Sequence, residues 1–108
     1  MYKNIEKEKA LSLKDLVDYS EGQVVSKTLV QNELVSMTVF SFDKGEEISS
    51  HSAGGDAMVN VLEGTGEIVI NDVPHVLNAG EAIVIPAGAP HSVRGVTAFK
   101  MLLVVALE

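Results

Sequence analysis

The stretch Gly80-Glu-Ala-Ile-Val-Ile-Pro86-Ala-Gly88-Ala-Pro-His91 decides the fold. It opens on a turn, runs four residues as a strand, breaks at a proline–glycine turn and ends on a histidine. Upstream, Gly45, His51 and Gly64 frame a second stretch of the same kind, with Ala53 and Ala57 inside it. Around both stretches the apolar pattern has period two. Val35, Met37 and Val39 alternate with Ser36 and Thr38, and Ile68 and Ile70 flank Val69 before the turn pair Asn71-Asp72. Alternation of this kind marks strands with one buried face. Strand runs are expected near 23–30, 33–43, 47–53, 57–63, 66–70, 73–77, 82–85, 90–94 and 97–106, separated by Gly, Asn, Asp and Pro turns. Many short strands with no helices between them imply an antiparallel sandwich or barrel.

The two stretches resemble the two signature segments of the cupin family of small β-barrels. In that family the first segment runs Gly, five residues, His, one residue, His, three or four residues, Glu, six residues, Gly. Here it reads Gly45, His51, Ala53, Ala57, Gly64, so the second His and the Glu are alanines. The second segment reads Gly80, Pro86, Gly88, His91, with Gly95 where the family places Asn. The resemblance covers about residues 33–106. It implies an all-β, double-stranded β-helix of the cupin or jelly-roll type, with residues 23–108 as the barrel. Residues 1–22 would form an arm with a short helix. Residues 1–11 carry mixed charges and read as a loose arm; Ser12 and Asp15 read as a helix start, with a helix at 13–18.

The resemblance also implies a site. His51 and His91 would be metal ligands in a metal-binding cupin, and His51, Ala53, Ala57 and His91 would line a ligand site. Two imidazoles suit Fe, Mn, Ni or Zn, but such metals take four to six ligands. Asp56, next to the vacant Glu position, and His75, on another strand, are the candidates for completing the set. A bulge would be needed to turn Asp56 inward, and turn chemistry after Gly54-Gly55 is its simpler role. Glu63, Glu67 and water are further donors. Arg94 either holds a substrate carboxylate or pairs with an acid at the rim. Two functions follow: a binding cupin that holds a small, partly apolar molecule in the barrel, or a metal-dependent dioxygenase, isomerase or lyase. A third, weaker one is an acidic surface for a basic protein.

Charge narrows the partners. Five lysines balance five acids in residues 1–27, whereas residues 28–108 set Lys44, Arg94 and Lys100 against ten acids and carry the whole net charge of -7. That surface repels nucleic acid and anionic membranes. The longest apolar run is too short for a membrane helix. The chain has no cysteine, which suits a cytoplasmic protein and excludes thiolate ligands and nucleophiles. No Gly-x-Ser-x-Gly elbow or phosphate loop occurs. A homodimer is expected, with residues 23–43 extending a partner's sheet.

Overall fold

The computed structural model describes residues 1–51 and 54–107, the side chains of Ser50 and His51 excepted. Its strands are β1 (Val24–Gln31), β2 (Val35–Phe42), β3 (Glu47–His51), β4 (Asp56–Glu63), β5 (Thr65–Ile70), β6 (Val73–Asn78), β7 (Ala82–Ile85), β8 (His91–Gly95) and β9 (Phe99–Ala106). They lie close to the strands expected from alternation. They form a five-stranded sheet in the order β1-β2-β9-β4-β7 and a four-stranded sheet in the order β3-β8-β5-β6. Neighbouring strands run antiparallel in both. This is the double-stranded β-helix of the cupins.

Strand parity decides which side chains meet between the sheets. In the four-stranded sheet, Ile68 lies between Val93 and His75, and Ile70 between His91 and Val73. In the five-stranded sheet, Phe42 faces Phe99, Phe40 faces Met101 and Val59 faces Leu103. Ile68, Ile70, Val93, Phe42, Phe99, Met101 and Val59 form one core with Ala57, Val61, Leu77 and Ile85, and Phe40 and Leu103 pack against it. The rings of Phe42 and Phe99 stack with centroids 4.7 Å apart, both fully buried.

The turns follow from local chemistry. Gly45, Gly64, Gly80 and Gly88, the turn glycines of the two signature segments, all have positive φ, the conformation that glycine adopts without steric cost. Asn32 shortens β2 relative to its expected start: its Oδ1 accepts from the N–H groups of Leu34 and Val35.

The N-terminal segment differs from expectation twice. The helix at 13–18 is a four-residue 3-10 turn, Leu13–Leu16, and the Ser12 side chain makes no cap bond. So short a run cannot offset the cost of α-helix nucleation. Nor is the arm loose. Lys3 N–H donates to the Leu29 carbonyl at 2.8 Å, and the Asn4 side chain donates to the Thr28 carbonyl at 2.8 Å. Ile5, Leu13, Leu16 and Val17 cover Leu29, Val39 and Leu102 on the outer face of the five-stranded sheet. The β1, β2 and β9 part of that sheet is therefore covered on both sides, which its alternating pattern does not reveal.

A polar latch fastens the same segment. Lys100 is 8% exposed. Its Nζ donates to the Lys14 carbonyl at 2.8 Å and lies 4.9 Å from the centroid of the Tyr19 ring. Tyr19 donates to Glu63 Oε2 at 2.6 Å, and Ser41 donates to the Asp18 carbonyl at 2.7 Å. The Tyr19 hydrogen bond holds the Glu63 carboxyl below its ordinary value of 4.5, helped by the Lys100 and Lys14 charges against some desolvation. Burial, then the bond to Glu63 and its charge, push the Tyr19 phenol above its ordinary 10. The signs define a window. The depressed Glu63 contributes stability above about pH 4.5, lost as pH falls through its lower folded value. The raised Tyr19 contributes below about pH 10, lost as pH rises toward its higher folded value. Tyr19→Phe is expected to destabilise by about 1 kcal/mol at neutral pH, since the pair is partly exposed. Urea titrations across pH test this: the wild-type advantage should vanish in strong acid, and a pH-independent difference would reject the latch.

Candidate functional site

A cavity of about 250 Å³ lies between the sheets. Phe40, Val59, Ile85, Met101 and Leu103 line it from the five-stranded sheet, and Ile48, Val93 and His91 from the other. His91 is the only titratable side chain among these described residues. A wider groove of about 690 Å³ lies between the arm, residues 4–16, and Lys27. It is a mixed polar surface on the far side of the five-stranded sheet, and nothing in it converges on a titratable core group. The interior cavity is the candidate site.

His91 is 5% exposed, and its Nδ1 lies 3.0 Å from the Ala89 carbonyl oxygen. A carbonyl only accepts, so Nδ1 carries a hydrogen in this contact, which in a neutral ring leaves the lone pair on Nε2. The backbone two residues upstream thus selects the tautomer. That backbone is itself held. Ala87 N–H donates to Asp56 Oδ1 at 2.8 Å, Ala89 N–H to the Pro86 carbonyl at 3.1 Å, and Asn71 N–H to the Pro90 carbonyl at 3.0 Å. The Pro86-Ala87-Gly88 turn, read from sequence as part of the second signature segment, also orients His91.

Register places the other candidates. The backbones of His51 and His91 are cross-strand partners, made so by a register shift in β3 between Ile48 and His51. The side chain of His51 lies outside the described residues, as does Ala53. Ala57 is buried and faces inward on β4. Asp56 precedes it, is exposed, and pairs with Ala106 in unbroken register. The irregularity in β4 falls instead between Val61 and Glu63, so the Asp56 carboxylate goes to the turn. His75 is half-buried on the edge strand β6, opposite Ile68. It shares the inner face with His91 but lies two strands across and two residues along, about 12 Å at the usual strand spacing and rise. Glu67 pairs with Arg94 at 3.5 Å and Glu63 with the Tyr19 latch, both on outer faces. Among the described residues, no three His, Asp or Glu side chains gather into a metal-holding group. The described donors alone do not fit a metal.

The lining residues beyond the histidine were only partly foreseeable. Phe40 lines the cavity, while Met58 is 39% exposed on the outer face. Val93 and Leu103 are on the inward parity of His91 and Met101, a signal available once one member of each strand is known to face in.

The turn yields a prediction. Asp56→Ala is expected to leave the Ala87 N–H to water and to destabilise by about 0.5–1.5 kcal/mol, since the bond is exposed. It should also mix the His91 tautomers, read from imidazole ¹⁵N shifts. Asp56→Asn keeps an acceptor oxygen and should restore a single Nδ1–H tautomer. An unchanged imidazole spectrum in Asp56→Ala would show that the turn holds itself.

Comparison with known proteins agrees with this architecture. The Cupin domain matches residues 38–105. No curated protein matches the chain. Among solved structures, the chain is similar to a conserved protein of unknown function from Streptococcus pyogenes, at 47% identity and a TM-score of 0.96 over 99% of this chain and 94% of that one. It is also similar to a cupin superfamily protein from Desulfitobacterium hafniense, at 31% identity and a TM-score of 0.95, over 100% of this chain and 99% of that one. A cupin 2 conserved barrel domain protein from Leptotrichia buccalis shares 42% identity at a TM-score of 0.87, over 89% of this chain and 47% of the other. Two glycine-framed segments, two facing antiparallel sheets and an interior site at the second segment's histidine agree with the domain match: the chain belongs to the cupin family.

Proposed function

We propose that this protein is a small-molecule-binding cupin that holds its ligand in the interior cavity beside His91, with the buried Ala57 on the facing sheet, and that His51 and Ala53 belong to the same ligand site. The observation that supports this is an apolar cavity of about 250 Å³ with a tautomer-fixed imidazole in its wall. An apolar enclosure with few polar groups is the general form of a ligand pocket, and this one lies just under the usual ~300–1,000 Å³ of drug-sized sites. A metabolite library screened by thermal unfolding tests the reading. A ligand at a hundredfold excess over its Kd stabilises by about 2.7 kcal/mol. Such a hit should be lost in His91→Phe. A library without a hit, alongside stoichiometric metal, would overturn it.

The backbone pairing of His51 with His91 supports a second reading, a metal-dependent enzyme with Fe, Mn, Ni or Zn on these two residues. Asp56 engaged by the turn and His75 two strands away weigh against a third ligand from either. Metal content of untagged protein, before and after soaking with each metal, separates the readings. About one metal per chain, lost in the His51→Ala, His91→Ala double variant, would favour the enzyme.

A homodimer belongs to the proposal. β1 is an edge of the five-stranded sheet; the arm engages its Thr28 and Leu29 carbonyls, and a partner strand would add along the rest of that edge. Light scattering after size exclusion should give a dimer mass; a monomer at micromolar concentration would reject it.

A further inference from the structure

Resting on the cavity-binding role, we infer that the ligand is a compact, uncharged and mostly apolar molecule, and neither an anion nor a polyol. The argument begins with where the cations are. The chain has eight lysines and arginines, and each is placed away from the cavity. Lys100 is spent on the Lys14 carbonyl and Arg94 on Glu67, both on outer faces. Lys44 is exposed in the turn after β2. Lys3, Lys7, Lys9 and Lys14 belong to the arm, and Lys27 pairs with Val39 on the face the arm covers. The positions outside the described set, residues 50–53 and 108, contain no lysine or arginine.

No permanent positive charge can therefore meet a carboxylate or phosphate in the cavity. Burying such a group without a partner costs several kcal/mol. The net charge of -7 raises that cost further by repelling anions from the whole barrel. A polyol meets the other half of the problem. Phe40, Ile48, Val59, Ile85 and Leu103 present carbon only, and each hydroxyl left unpaired against them forfeits about 1–3 kcal/mol. Among the described lining residues His91 is the only polar side chain, so a ligand with few polar groups suits the cavity. The volume of about 250 Å³ sets the size at a single small ring or short branched chain.

Size-matched pairs decide the matter. Benzyl alcohol and benzoate, then isopentanol and isovalerate, are titrated at pH 7.5 into protein with ¹³C-labelled Ile, Leu and Val methyls. The alcohols are expected to shift the methyls of Ile48, Ile85 and Leu103 saturably, with the carboxylates at least tenfold weaker. Carboxylates that bind equally or more tightly overturn the inference on charge and leave the cavity as the site. Methyls that move with neither member, up to the low-millimolar range, overturn the cavity-binding role itself.

Discussion

Phe99→Ala is expected to remove about 3–5 kcal/mol of stability, the range for truncating a buried aromatic. Phe99 is fully buried where the two sheets meet. It stacks on Phe42 across the β2–β9 pair, and Gly66 on β5 lies against its ring so closely that a Cβ there would overlap it. The ring thus bridges the sheets through a gap that glycine leaves open for it. No neighbour can collapse into that gap cheaply, because Phe42 is held by its own strand pairing and Gly66 by pairing with both Leu77 and Gly95. A domain of this size loses roughly 4–8 °C of Tm per kcal/mol, so the melting point should fall by well over 10 °C. Phe99→Leu keeps much of the volume and should lose roughly a third as much. Equal losses for the two variants would mean that ring shape, and not buried volume, sets the energy at this position.

The same residue shows what the sequence makes legible. Phe99 lies in a run, 97–106, whose length and apolar content announce a strand, but only the sheet order tells that β9 sits between β2 and β4. Strand positions could be read because turn chemistry is local. Gly45, Gly80 and Gly88 need positive φ, and Asn71-Asp72 supplies the paired left-handed residues of a tight hairpin. The arm could not be read this way, since Ile5, Leu13 and Val17 acquire a purpose only against Leu29 and Val39. His91 was legible from its segment, and its burial follows from the parity it shares with Val93. Asp56 shows where parity alone runs out. Whether a carboxylate next to a vacant ligand position turns inward depends on where a bulge falls, and the register shifts in β3 and beyond Val61, not at Asp56.

Gly64 carries the second large effect, and Gly45 is its control. Both have positive φ, 75° and 84°, so alanine at either pays the left-handed penalty of roughly 1–2 kcal/mol. Their surroundings differ. A Cβ on Gly45 would meet nothing within 4 Å, whereas one on Gly64 would overlap the Ala98 carbonyl and come within 2.9 Å of Phe99 Cβ and Thr97 Oγ1. The Ala98 carbonyl is backbone entering β9, and Thr97 Oγ1 accepts the Thr65 N–H at 3.0 Å, so neither yields without disturbing the start of two strands. Forced repacking of this sort adds about 1–3 kcal/mol. Gly45→Ala should therefore lose roughly 1–2 kcal/mol, and Gly64→Ala about 2–5 kcal/mol. Asparagine separates the two terms, because it tolerates the left-handed region better than alanine. Gly45→Asn should recover most of the loss, and Gly64→Asn almost none, as its Cβ meets the same carbonyl. Denaturant midpoints for the four variants test this; equal rescue at both positions would show that backbone conformation alone fixes the last glycine of the first segment.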